Sequence, residues 1–175
     1  LFRSTLSELL RQGADFCHSS KMFRRSTVKG SDLKFPTSIV FDWYMHLLHA
    51  RYGEIHFINE VFGKYRISSN SVVFSNYKKM ELVASDLLKI VDVSEAFGTS
   101  EIDRNYAKSR IYLERSLRAL ELRQFDLFDR FVELAWQYSS SPSPTLKLLY
   151  HGRLFPRALS FALGMRRTVS RIVDR

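Results

Sequence analysis

Near residue 75 the chain changes its apolar period, and that change limits the folds open to it more than any other feature. Met80, Val83, Ala84, Leu87, Leu88 and Val91 recur at helical spacing over three turns. Such a stripe is stable only when packed against another element. Tyr106, Leu113, Leu117 and Leu120 form the next stripe, after a break at Gly98-Thr99-Ser100. Ser100 with Asp103 resembles a capping box, and Glu114 with Arg118 stands at i,i+4 in the favourable order. Phe128, Phe131, Val132 and Ala135 predict another helix, ended by the run from Ser139 to Pro144. Ala158, Phe161, Ala162, Met165, Val169 and Ile172 share one face of a last segment. The turn at Arg123-Gln124 gives the look of a helical hairpin, and one copy makes no repeat array.

Before residue 75 the signals alternate. Leu1 to Gln12 reads as a helix with Phe2, Leu6, Leu9 and Leu10 on one face and Gly13 closing it. Asp15 to Phe23 reads as strand, turn and return, and Lys29 to Pro36 as loop. Asp42 to Tyr52 is a second helix, with Tyr44, Leu47 and Leu48 on one face and Gly53 after it. Glu54 to Ile58 and Val61 to Ile67 are short strands joined tightly at Asn59-Glu60. The predicted class is α/β, mixed α+β over residues 1–75, followed by an all-α extension over 76–175.

The 175 residues are 45% hydrophobic, with 14 Phe and 8 Tyr, too apolar for a disordered chain. One cysteine, Cys17, excludes an internal disulfide framework. There is no apolar run of about 18 residues, the length a spanning helix needs, and no signal peptide pattern at the start. The first residue is Leu rather than Met, which suggests that further chain precedes it. Net charge is +9, unevenly placed: Thr145 to Arg175 holds seven bases against the one acid Asp174, or +6, leaving +3 for the rest. A basic tail of this kind suits a solvated face, an anionic membrane surface or, less well, nucleic acid, for which no motif is present.

Three ordered patterns resemble the distal half of family 2 glycosyltransferases. The first is His18-Ser19-Ser20-Lys21-Met22-Phe23-Arg24-Arg25. The second is Phe41-Asp42-Trp43, opening a helix that ends at Arg51-Tyr52-Gly53 and continues Glu54-Ile55-His56-Phe57-Ile58. The third is Val61-Phe62-Gly63-Lys64-Tyr65-Arg66-Ile67-Ser68-Ser69-Asn70-Ser71, similar to the family's Tyr-Arg-x-His-x-x-Ser ending. The resemblance covers roughly residues 1–75. It implies the acceptor-side half of a GT-A domain, with residues 76–175 as a helical C-terminal extension. It also implies inverting transfer of a sugar from a nucleotide-diphosphate donor to an acceptor hydroxyl, in cell-envelope or polysaccharide synthesis.

By that resemblance Asp42 is the general base, a carboxylate placed to accept the acceptor's proton, and a helix N-terminus favours its charge. His18, Ser19, Ser20, Arg24, Trp43, Tyr65 and Arg66 are the implied substrate-binding residues, Arg66 as a fork donor suited to diphosphate oxygens. Two departures stand out: Phe41 where the family often has Glu, and Ser68 where His is usual. A divalent metal, Mn²⁺ or Mg²⁺, is implied for the whole enzyme. The Asp-x-Asp metal motif and a Gly-rich phosphate loop are not found in this sequence. The chain alone is therefore expected to be inactive, working in the cytoplasm or at the inner face of a membrane.

Simpler readings accompany each residue. Asp42 also suits an N-cap, and Trp43 suits packing under its helix as well as stacking on a sugar. Ser19-Ser20 suits a turn, and Arg24 a solvated charge. His46 and His49 stand three apart but lack a third ligand at recognisable spacing. Cys17 and His18, as strand neighbours, point to opposite faces and make a poor nucleophile–base pair. The alternative function is a non-enzymatic helical interaction or peripheral membrane module built on residues 76–175.

Overall fold

The computed structural model describes residues 3–13, 22, 40–56 and 80–162. Helices dominate these residues. β-structure is confined to one antiparallel pair, β1 (Arg3–Ser4) with β2 (Ile55–His56), in the register Arg3 to His56 and Ser4 to Ile55. The expected mixed α/β architecture of a GT-A half is therefore corrected: the described residues are predominantly α-helical.

The first helix, α1 (Leu6–Gln12), starts later than its apolar face suggests. Thr5 is the reason. Its hydroxyl accepts from the Glu8 amide at 3.3 Å while the Glu8 carboxylate accepts from the Thr5 amide at 2.8 Å, a complete capping box. The chain before the cap stays extended and pairs with β2. The helix ends at Gly13, whose φ of 81° lies where a side chain is disfavoured. Leu9 and Leu10 are buried against α2 (Phe41–Ala50). In α2 every residue from Trp43 to Leu48 is buried, so this helix lies inside its unit rather than presenting one face.

The stripe at 80–91 forms α3 (Met80–Val93), with Met80, Val83, Ala84, Ile90 and Val91 buried. A 3₁₀ turn, Ser94–Phe97, follows. Gly98 at φ 89° reverses the chain. Ser94 and Thr99 share a 2.9 Å hydroxyl contact, and Arg104 donates to the Thr99 carbonyl at 2.6 Å and to Glu95 at 3.0 Å. Helix α4 (Glu101–Glu121) then begins at the expected Ser100 cap, where the Asp103 amide donates to the Ser100 hydroxyl at 3.1 Å.

In α4 the expected buried face is displaced. Ala107, Ser109, Ile111, Ser116, Ala119 and Leu120 are buried, whereas Tyr106 is half exposed. Small residues admit close approach of a neighbouring backbone, and the Ser109 hydroxyl donates to the Ala135 carbonyl at 2.7 Å. Glu114 pairs with Arg110 at 3.4 Å, and Arg118 takes Glu121.

Arg123, at φ 58°, turns the chain into α5 (Phe125–Gln137). Its buried residues are the four expected, Phe128, Phe131, Val132 and Ala135. Helix α6 (Pro144–Gly152) opens with the Ser143 hydroxyl accepting from the Leu146 amide at 3.2 Å. It packs on α5 through Leu146 and Leu149 and through a Trp136–Tyr150 stack at 4.1 Å. Residues 156–162 are again helical.

The chain forms two compact units, Leu1–Ala107 and Lys108–Arg175. The boundary expected near residue 75 falls in 57–79, outside the described residues. No described helix is long and apolar enough to cross a membrane.

Candidate functional site

Helix α2 carries both expected site residues that the structure describes. Its N-cap is Val40, which has no capping side chain, so Asp42 is not the cap: it stands second in the helix. Asp42 is exposed in that first turn and Phe41 beside it is 41% exposed, while the following residues turn inward. An exposed carboxylate in the first turn of a helix is placed to accept a proton or hydrogen bond from a solvent-side group.

Trp43 has the opposite setting. It is 5% exposed, and its indole N–H donates to the Leu9 carbonyl at 3.2 Å. Its ring packs under α2, as the simpler reading has it. This contact ties α2 to the last turn of α1, and Tyr44 against Phe97 at 5.9 Å adds the 3₁₀ turn. The helix bearing Asp42 is thus fixed from two sides. Arg51, at its C-terminal end, lies over the Tyr52 ring at 5.3 Å and the Phe97 ring at 5.7 Å.

His18, Ser19, Ser20, Arg24, Tyr65 and Arg66 lie outside the described residues. His46 is wholly buried and His49 partly so. Among the described residues no three His, Cys, Asp or Glu side chains come together in a way that would hold a metal ion. The implied Mn²⁺ or Mg²⁺ therefore finds no fitting donor set among them.

A second cluster went unnoticed in the sequence. Arg11 of α1 approaches Asp103 at 3.6 Å and lies 4.6 Å over the Tyr106 ring. Burial acts to raise the Asp103 carboxyl, but the hydroxyls of Ser7 and Ser100 and the Arg11 charge outweigh it and hold the group below its ordinary value. The Thr5 amide and hydroxyl hold the exposed Glu8 carboxyl low in the same way. Asp103 links α1 to the start of α4, whereas Glu8 closes the start of α1, and both are structural in character.

No protein-family profile, curated protein or solved structure matches the chain.

Proposed function

We propose that this chain is part of an inverting nucleotide-sugar glycosyltransferase and supplies its general base, Asp42. One observation supports this above the others: Asp42 is an exposed carboxylate in the first turn of a helix that is otherwise buried and anchored through Trp43. The ordered sequence patterns around His18, Asp42 and Tyr65 point the same way. The reading does not carry over the GT-A architecture.

In the proposed step the acceptor hydroxyl gives its proton to the Asp42 carboxylate as its oxygen attacks the anomeric carbon. The bond from that carbon to the donor's diphosphate oxygen breaks, and the electron pair leaves with the diphosphate. Attack opposite the leaving group inverts the centre. A positioned base of this kind contributes about 10²–10⁴-fold to rate.

The test is Asp42→Asn in the natural protein containing this chain, with nucleoside diphosphate release followed across a panel of nucleotide sugars. Transfer falls on the order of 10²-fold or more, while nucleotide-sugar binding persists. Undiminished transfer in the variant removes Asp42 as the base. No transfer in the unaltered protein favours the second reading, a helical interaction module, which rests on the predominance of helix over residues 80–162.

A further inference from the structure

The last described segment of the chain is docked by one side and bare on the other. On the docked side, Leu159 lies against Gly152, where a Cβ would meet its Cδ1 at 2.8 Å, and the Ser160 hydroxyl donates to the Leu120 carbonyl at 3.4 Å. On the bare side stand Leu154, 77% exposed, Phe155, 70%, and Phe161, 69%, with Ala158 and Ala162 also exposed. Ala158, Phe161 and Ala162 follow i, i+3, i+4 spacing and share one face of the helix over 156–162, and Phe155 stands just before that helix, its carbonyl accepting from the Leu159 amide at 3.1 Å. Single exposed apolar residues are ordinary; a contiguous row of them marks a surface that meets something.

The charge around the row says what. From residue 134 to residue 173 the sequence contains no Asp or Glu, while Lys147, Arg153, Arg157, Arg166, Arg167 and Arg171 fall within it. Arg153 is committed to Asp129 and Glu133. Arg157 and Lys147 are exposed. The apolar period runs on in the sequence as Met165, Val169 and Ile172, interleaved with those arginines. Exposed Leu and Phe within a stretch of sequence whose charged residues are all cations suit a segment that lies in the plane of an anionic membrane surface. A bilayer demands no matching pocket, only apolar side chains to bury and cations to meet its headgroups. No described helix is long and apolar enough to cross a membrane.

We propose that residues 154–162 form a membrane-docking face that seats the chain on anionic lipid. The proposal does not depend on Asp42 being a base.

The experiment uses the full chain with vesicles of phosphatidylcholine alone and of phosphatidylcholine mixed with phosphatidylserine, read by co-sedimentation. Binding appears on the anionic vesicles and declines with added salt. Phe155→Ser with Phe161→Ser weakens it at least about tenfold, because each ring buries apolar area in the interface. Arg157→Glu weakens it by on the order of tenfold, each cation near such a surface being worth about fivefold. Both variants keep the helical circular dichroism and melting temperature of the unaltered chain, since the replaced side chains are exposed. No binding to anionic vesicles, equal binding to both vesicle types, or binding unchanged in both variants overturns the proposal. So does a dimer in sedimentation velocity that the Phe155→Ser, Phe161→Ser pair abolishes while vesicles stay unbound, which assigns the face to a second copy of the chain.

Discussion

Adjacent residues Asp42 and Trp43 divide α2 between solvent and core. Trp43→Phe tests how firmly the tryptophan belongs to the core. Phenylalanine keeps a ring there but leaves the Leu9 carbonyl without the indole donor. The Leu9 carbonyl keeps its bond from the Gly13 amide at 2.9 Å, so the loss is that of one hydrogen bond, about 1 kcal/mol, and the melting temperature falls by a few degrees in a thermal scan. An unchanged melting temperature would show that the indole contributes little to packing and would reopen its use as a stacking surface. The sequence shows Asp42 at a helix start because Gly53 and the apolar spacing bracket that helix. It does not show that Val40 takes the cap, nor which way Trp43 turns. An indole beside a first-turn carboxylate suits either side until α1 supplies a carbonyl to receive its N–H.

The elements were legible to different degrees. In α5 four large apolar side chains fix the buried face by themselves, and those four are buried. In α4 the buried positions are largely Ala and Ser, which apolar periodicity barely registers, and the leucines drew the expected face away from Ala107 and Ala119. The start of α1 was missed because the Thr5 and Glu8 box outranks the apolar pattern of Phe2 and Leu6. Asp103 is the point where α1 and the start of α4 meet. Its carboxyl is held low in the folded chain, so the charged form stabilises the fold above the ordinary carboxylate range. That contribution is lost as pH falls through the lowered value. Asp103→Asn should therefore melt lower than the unaltered chain near neutrality and lose less on acidification from about pH 7 to about pH 3. Parallel losses in the two proteins, measured by circular dichroism, would mean that Asp103 has no part in acid sensitivity.

At the scale of the whole molecule, the division between the two compact units falls inside a helix, since α4 runs from Glu101 to Glu121 through Ala107 and Lys108. Proteases need extended backbone, so brief trypsin treatment should cut at Arg123, exposed and outside any helix, before Lys108. Mass spectrometry of the fragments reads the order, and early cleavage after Lys108 would mean that α4 opens at the unit boundary. The change of period near residue 75 does not place this division, because the spacing of a helix is the same on both sides of it. The outward row of Leu154, Phe155 and Phe161 has a preparative consequence. A chain that wears phenylalanine on its outside adsorbs to plastic and to hydrophobic resin, and its recovery in dilute buffer rises when a mild detergent coats that row.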